Sequence, residues 1–405
     1  MSQKKISFQI VFLTAGLLLP SLSRSSFIET TMGTAVVNDA TASYFNPAAL
    51  TLLKNSQIIP LATVAQFQTR FTGQSTNITN AFTQSGTSNS TSNYYSPSCY
   101  IGVPFNEKVT MGFAAVSNFA YRSPEENSIL RYTQASNTIQ DYDLVPALGI
   151  KINDYFALGA GINFSYTNFD LHPIMGFPGS NTADSQGENQ SDGSGIGGNI
   201  GFLLRPRSGT FVGFDYRSMT TYKESGKSIV NGTPHIVSND YHFTMRTPPR
   251  SILSVSQMIT STFGMITTIQ RIQWGVITNI HISGVATLFG TTPVIVNTNV
   301  PYYLHNTWAF TVGGNYRFKP DWIMRAAGTY NQSPGNGAYQ MTTGDSYILG
   351  LSLGHEINKT LNLDGSYAHA FIQDKSIHMN GNRYKIVGNN QASRDVVSLK
   401  VTLNV

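Results

Sequence analysis

The stretch Phe156-Ala-Leu-Gly-Ala-Gly-Ile-Asn-Phe-Ser-Tyr166 alternates between two kinds of side chain. Phe156, Ile162 and Tyr166 belong to one series, which is apolar, and the positions between them carry mostly glycine, asparagine and serine. Because successive side chains of a β-strand point to opposite faces, this spacing predicts a strand with one apolar face. The same alternation returns in residues 396–405, at the end of the chain. The pattern therefore predicts an all-β protein.

The composition narrows the class of β-protein. Only 12% of the 405 residues are charged, whereas 11% are aromatic and 36 are glycine. A soluble β-sandwich also alternates but normally carries more charge. A transmembrane β-barrel needs few charges, because one side of its wall meets lipid. The net charge of +5 is spread along the chain, with no basic patch interleaved with aromatic residues, so we expect no nucleic-acid partner.

The connections between the predicted strands alternate between short and long. The predicted strands lie near 58–72, 98–105, 108–121, 137–152, 155–170, 196–206, 210–220, 250–259, 262–282, 304–318, 321–330, 346–356, 359–371 and 394–405. Short turns follow every second strand, and the long connections, such as 171–195 and 221–249, are predicted to be extracellular loops. We therefore predict a transmembrane antiparallel β-barrel of about 14 strands, formed by a single chain as a monomer.

Residues 1–25 have the organisation of a secretory signal peptide. Lys4 and Lys5 precede the mostly apolar stretch 6–19, and Pro20 ends that stretch. The alternative is a membrane anchor, but so short a stretch spans a bilayer poorly. We expect cleavage of this signal and localisation in the outer membrane of a Gram-negative bacterium.

The motif Asn46-Pro47-Ala48 stands between the signal and the first strand, within Ala42–Leu50. Proline fixes its own φ and pushes the preceding residue out of the helical region, so the motif can be a simple turn. It also resembles the Asn-Pro-Ala motif of the FadL family, outer-membrane channels for long-chain fatty acids and other hydrophobic compounds. In that family the N-terminal segment folds into the barrel as a hatch.

Further segments, in the same order as in that family, carry the resemblance through the second half of the chain. They are Thr247-Pro248-Pro249, the strand Trp308–Arg317, the strand and loop Trp322–Pro334, and the strand Leu361–His369. The resemblance implies a hatch in residues 26–56, inside the lumen of a barrel formed by residues 57–405. It also implies passive, hatch-gated uptake of long-chain fatty acids or similar hydrophobic compounds, with lateral release into the membrane.

Other functions stay as alternatives. A general or small-solute porin would need a wide, charged and unplugged lumen, and an outer-membrane adhesin would need large binding loops. The histidines show no metal-ligand spacing, and no serine stands in a nucleophile elbow, so the sequence predicts neither an enzyme nor a cofactor or metal site. The expected partners are a hydrophobic small molecule, outer-membrane lipid and lipopolysaccharide.

Five apolar residues fall in connections that should be polar if solvent surrounded them. They are Ile174, Met175, Phe177, Leu288 and Phe289. Exposed apolar clusters mark a ligand, a partner or the packing of loops against one another. Both ligand contact and loop packing remain open for these residues.

Three cations belong to the polar series of their strands, which predicts that they face the lumen. They are Arg70, Arg325 and Lys400. A half-buried cation needs a partner, which here could be an internal carboxylate or the carboxylate of a substrate.

The family resemblance also points to a lateral opening, because the third strand is kinked in FadL-type barrels. The matching step here is Ser117-Asn118-Phe119. Ala120 follows it, where a glycine would bend most easily. These residues are the lateral-gate candidates.

Overall fold

The barrel wall is one closed antiparallel sheet. The computed structural model describes residues 35–405 except 125–127, 134, 177–178, 180–182, 233–234, 290–291 and 382–383. The first strand, Gln57–Asn77, pairs with both the second, Thr83–Pro104, and the last, Tyr384–Asn404, which closes the barrel. In the described part of the chain, no helix is long and apolar enough to cross a membrane.

The described residues form 18 strand segments. They are β1 Gln57–Asn77, β2 Thr83–Pro104, β3 Val109–Pro124, β4 Ala135–Lys151, β5 Phe156–Met175, β6 Ser185–Arg207, β7 Thr210–Arg217, β8 Thr220–Asn231, β9 Ile236–Thr247, β10 Arg250–Met258, β11 Phe263–Ile272, β12 Asn279–Phe289, β13 Thr292–Pro301, β14 Thr307–Lys319, β15 Trp322–Asn331, β16 Ser346–Glu356, β17 Leu361–Asn380 and β18 Tyr384–Asn404. Short helices occupy Ala42–Phe45, Pro47–Leu52 and Trp274–Val276.

Four pairs of segments are interrupted parts of one strand. We call a strand that runs from one rim of the barrel to the other a stave. β7 with β8, β9 with β10, β11 with β12 and β13 with β14 each make one stave, because both members pair with the same neighbouring staves. The described segments therefore amount to 14 staves, and the predicted antiparallel barrel of about 14 strands is confirmed.

The two rims of the barrel differ from each other. Short turns at 105–108, 152–155, 208–209, 259–262, 320–321 and 357–360 form one rim, as predicted. At the other rim, the prediction of long loops was wrong for most connections. The predicted loop 73–97, for example, is strand on both sides of the short connection 78–82, with Phe71 paired to Ser88. Its Ser/Thr/Asn-rich sequence resembles a loop, yet backbone pairing does not require apolar side chains.

The wall changes its outward character partway up its long strands, such as β1. On β1, Val64 is 48% exposed on the outer face. Gln66 and Gln68 follow on the same outer face, whereas Phe67 points inward and is buried. We call the part with apolar outward residues, next to the short turns, the lower zone, and the part above it the upper zone. Lipid can surround the lower zone, and water surrounds the upper zone.

Candidate ligand-binding lumen

The segment of residues 35–53 packs against the inner face of the lower zone. Its helical residues Ala42–Phe45 and Pro47–Leu50 are fully buried, and they touch β2 to β6. Glycine at Gly112, Gly149 and Gly159 makes this close approach possible. A methyl group on Gly159, for example, would overlap the backbone of Pro47 and Ala48.

Asn46 fixes the segment to the wall through its amide group. Its Nδ2 donates to the carbonyl oxygens of Ala35 and Phe202, at 2.7 and 3.2 Å. Its Oδ1 accepts from the backbone N–H of Ala48 at 3.1 Å and so caps the helix Pro47–Leu52. Pro47 stands at the first position of that helix, where a missing N–H costs nothing.

Charged groups of the wall hold the same segment. Lys400 Nζ lies 3.0 Å from Asp39 Oδ2, and both side chains are largely buried. Burial opposes ionisation of Asp39, but the charge of Lys400 and hydrogen bonds from Thr41 and Lys400 outweigh it, so the pKa of Asp39 is below its ordinary value. On another wall strand, the Arg217 guanidinium lies 4.1 Å from the centre of the Tyr44 ring.

The upper zone has an apolar interior above this segment. Buried side chains from strands all around the wall form a single cluster there, and residues 272–304 contribute the largest share of them. Its larger members include Phe67, Tyr94, Phe169, Leu171, Tyr222, Tyr241, Phe243, Met245, Trp274, Tyr302 and Leu304. A water-filled pore would have a polar interior, so this lumen suits an apolar guest.

Arg394 of β18 lies at the edge of the apolar cluster and has no acidic partner among the described residues. Its guanidinium carbon is 5.1 Å from the centre of the Phe67 ring. Its Nε is buried without a hydrogen-bond partner, and no carboxylate among the described residues forms an ion pair with it. The adjacent Asp395 points to the other face, where it bonds to Tyr367 and His369. Arg394 can therefore receive an anion from the lumen.

The predicted lumen cations have three different positions. Arg325 faces inward and forms an ion pair with Asp364 at 2.5 Å, and Lys400 is paired with Asp39. The prediction for Arg70 was wrong, because Arg70 is exposed on the outer face of β1 in the upper zone. There the apolar series of the strand faces the lumen and the polar series faces water. Arg394 was missed, although its place in the inward series with Val396 could have revealed it.

The apolar residues of the predicted loops lie in the upper strands. Met175 is 2% exposed and belongs to a cluster with Val230 and Ala286, against which Leu288 packs. Ile174 packs against a second cluster, near the rim. Phe289 ends strand β12, where it pairs with Thr292. Phe177 lies outside the described residues. The described side chains thus pack against other parts of the wall.

The lateral-gate candidates lie in a continuous strand. Residues 117–120 of β3 are all paired with β4. On the other side, the pairing with β2 is interrupted at Ser96 and Pro97, opposite Ser117 and Asn118, because proline has no N–H to donate. The ladder between β2 and β3 is therefore interrupted over two residues beside the lateral-gate candidates. In the described residues, no group of three or more His, Cys, Asp or Glu could hold a metal ion.

Fold and lumen together define a transmembrane β-barrel with an apolar upper interior and a folded segment in its lower half. Residues 10–405 match the family model described as outer membrane protein transport protein (OMPP1/FadL/TodX), and the chain belongs to this family. The family transports hydrophobic compounds across the outer membrane, which is consistent with an outer-membrane location for this chain. Nothing matched in the search of curated proteins.

Three solved structures have a similar fold. A Pseudomonas aeruginosa FadL homologue is 18% identical, with a TM-score of 0.82, over 94% of this chain and 98% of its own. The Pseudomonas putida toluene transporter TodX is 13% identical, with a TM-score of 0.71, over 98% and 100%. The Ralstonia pickettii toluene transporter TbuX is 14% identical, with a TM-score of 0.66, over 94% and 99%.

Proposed function

We propose that this protein takes up long-chain fatty acids, or amphiphiles with a similar chain and an anionic head, through the outer membrane. The apolar upper lumen holds the chain of the ligand, and Arg394 binds its carboxylate. One observation carries this proposal: Arg394 has no ion-pair partner in the part of the chain that the structure describes, and an unpaired cation is costly beside an apolar cluster. A bound carboxylate offsets that cost.

The same observation separates a fatty acid from a neutral hydrocarbon. Toluene, the compound named for TodX and TbuX, has no charge that could satisfy a guanidinium. A lumen dedicated to such a compound would need no cation without a partner at its apolar cluster. We therefore favour an anionic amphiphile over a monoaromatic hydrocarbon as the ligand.

Residues 35–53 act as a hatch in this proposal. Their burial and their contacts with the wall support a plug that keeps ions and water from passing through the lower zone. The ligand then leaves sideways where the ladder between β2 and β3 is interrupted, near Ser117. A long chain released into lipid avoids about 0.8 kcal/mol for each methylene that would otherwise be exposed to water.

A binding measurement tests the role of Arg394. Purified barrel in detergent should bind radiolabelled hexadecanoate, and Arg394→Gln should weaken that binding about tenfold to a hundredfold, the usual range for a hydrogen bond to a charged group. Hexadecanol, which has the same chain and no charge, should bind both proteins equally. Arg394→Lys should keep part of the affinity, because it keeps the positive charge.

A matched control removes a cation outside the lumen. Lys385→Gln changes an exposed position of the same strand and should leave hexadecanoate binding unchanged. Equal binding of hexadecanoate to the wild type and to Arg394→Gln would reject Arg394 as the anchor. If the barrel bound neither compound and conducted ions as a wide pore, the porin alternative would replace the proposal.

A further inference from the structure

The backbone pairing between two adjacent staves of the wall is interrupted, which leaves a gap between them. Arg250 pairs with Ile272 in the lower zone, and Phe243 pairs with Ile282 above it. Between these pairs, residues 244–249 on one stave face the longer stretch 273–281 on the other. One backbone bond crosses at the lower end of the gap, from the N–H of Gln273 to the carbonyl of Pro249 at 3.0 Å. Above it, the extra residues form the short helix Trp274–Val276, and Pro248 and Pro249 lack the N–H that ladder pairing needs.

A cavity of about 560 Å³ occupies this gap. Phe243 contributes to its lining and faces inward, whereas its neighbours His242 and Thr244 also line it and face outward. Since adjacent residues of a strand point to opposite faces, the cavity is lined by residues of both the inward and the outward series. The gap thus lies between the apolar lumen and the outside of the barrel.

The height of the gap places it at the outer surface of the membrane. Below it, β10 and β11 contain 9 and 10 residues, which matches the length of a membrane-crossing strand. Trp308, on the stave next to β11, is 41% exposed close to the top of this span. Exposed aromatic residues form girdles at membrane interfaces, so the gap opens just above the lipid acyl chains.

The two ends of the cavity differ in chemistry. Lys223 and Arg246 line its outer end, and both are exposed. Ile277 and Ile280 line its inner end and are buried in the apolar cluster of the lumen. The buried carboxylate of Glu224 lies beside them and accepts a hydrogen bond from Thr167. Of the histidines at the outer end, His242 lies 2.8 Å from Asp240. The outer end therefore suits an anionic group, and the inner end suits a hydrocarbon chain.

We propose that the gap between β9 and β12 is a lateral inlet for single-chain anionic amphiphiles that have dissolved in the outer leaflet. Lys223 and Arg246 bind the anionic head at the membrane surface, and the chain passes between the staves into the apolar lumen. This inlet rests on the proposed function and adds a route to it. It lies in a different part of the wall from the β2–β3 ladder.

The inlet explains how a water-insoluble chain reaches the lumen. A fatty acid in the outer leaflet already has its head at the level of the gap and its chain in hydrocarbon. Passage between the staves moves the chain from one apolar environment to another, so the chain stays out of water. A route over the upper rim would require the chain to leave the membrane first.

Photo-crosslinking tests whether the ligand binds in the gap. A photoreactive phenylalanine replaces Thr244 at the gap or, as the control, Gln68, which is exposed in the upper zone of β1. Outer membranes that contain the full chain are irradiated with radiolabelled hexadecanoate, and adducts are identified by mass. The inlet predicts a hexadecanoate adduct at residue 244 and little at residue 68. Equal adducts at both positions, or only lipid A at residue 244, would overturn it.

Uptake by cells tests whether binding of hexadecanoate in the gap leads to transport. Thr244→Trp should fill the gap and lower the initial rate of hexadecanoate uptake, whereas Gln68→Trp should not. Lys223→Gln with Arg246→Gln should lower the rate about two- to fivefold, as expected for partly exposed ion pairs. Arg70→Gln with Lys385→Gln, an equal loss of exposed charge elsewhere, is the matched control.

These outcomes separate the inlet from the proposed function. Unchanged uptake by Thr244→Trp, at an unchanged barrel level, would overturn the inlet and leave the proposed function standing. If wild-type cells took up no more hexadecanoate than cells without the barrel, the proposed function would fail. The crosslinking result would then decide by itself whether an anionic amphiphile occupies the gap.

Discussion

The lower and upper zones of the barrel use the same alternation in opposite ways. In the lower zone, Leu399 and its outward neighbours are apolar, and residues 35–53 fill the interior, where they pack against glycines and against apolar wall residues such as Ile59 and Tyr100. In the upper zone, Gln66 and Gln68 face outward and Phe67 faces inward. A single strand such as β1 therefore meets lipid with an apolar face below and encloses a lumen with an apolar face above.

This inversion shows what decides the direction of an apolar side chain. In the lower zone, the solvent outside is lipid, and the interior is filled by a folded segment with its own polar contacts. In the upper zone, the solvent outside is water, so apolar side chains gain only by facing inward. The apolar lumen is thus a consequence of extending the barrel beyond the membrane.

The largest predicted effect comes from placing a charge on each zone. Leu399→Arg places a cation against lipid and should destabilise the barrel by about 2–4 kcal/mol, because the charge loses its hydration. Gln68→Arg, on the outer face above the membrane, should change stability by about 0.5 kcal/mol or less. Urea unfolding in lipid vesicles measures both. Equal losses would contradict the division into two zones.

An intermediate effect is expected where the folded segment meets the lower zone. Asn46→Ala leaves the carbonyl of Phe202 and the N–H of Ala48 without their partner, at a cost of about 1–3 kcal/mol for each buried group. The segment should detach more often while the barrel still assembles. Single-channel recording should show more frequent openings than in the wild type.

Glycine provides the control for that experiment. Gly159→Val should act like Asn46→Ala, because any side chain there overlaps the backbone of the segment. Gly365→Val should have no effect, since nothing lies within 4 Å of the added carbon at that position. Identical conductance in all variants would show that the segment does not restrict the lumen.

The smallest predicted effect is the dependence of the conductance on pH. Because the pKa of Asp39 is lowered in the folded protein, its pairing with Lys400 is fully stabilising above the ordinary pKa of aspartate, about 3.9. That stabilisation is lost as the pH falls from there through the lowered pKa. Conductance should stay constant from pH 7 to about pH 4 and rise only below it. Asp39→Asn should remove this step, and a step below pH 4 that persists unchanged in that variant would contradict the assignment.

The sequence predicted the number of staves and the turns because both depend on local features. Alternation defines a strand, and short links such as Asn153-Asp154 define a turn. It did not predict that strands continue through polar stretches such as 83–97. Those residues are held by pairing with β1 along their whole length, and pairing between distant residues leaves no local signal.

The lumen could be predicted only in part. Asn46 was found from its motif, and Arg325 and Lys400 were assigned to the inner face by alternation. Arg70 was assigned to the wrong face, because alternation gives two faces without saying which one meets solvent. Arg394 was missed for a similar reason: its importance depends on Phe67 and on the absence of an ion-pair partner among the described residues. Both features can be recognised only in the closed barrel, where β1 and β18 lie side by side.

One measurement tests the central claim directly, namely that the upper lumen binds an anionic amphiphile through Arg394. Crystals of the full protein soaked with 16-bromohexadecanoate would show the end of the chain by the anomalous signal of bromine. The account predicts bromine among the apolar residues of the upper lumen and the carboxylate at the Arg394 guanidinium. Carboxylate density away from Arg394, or bromine only on the outer lipid-facing surface, would contradict it.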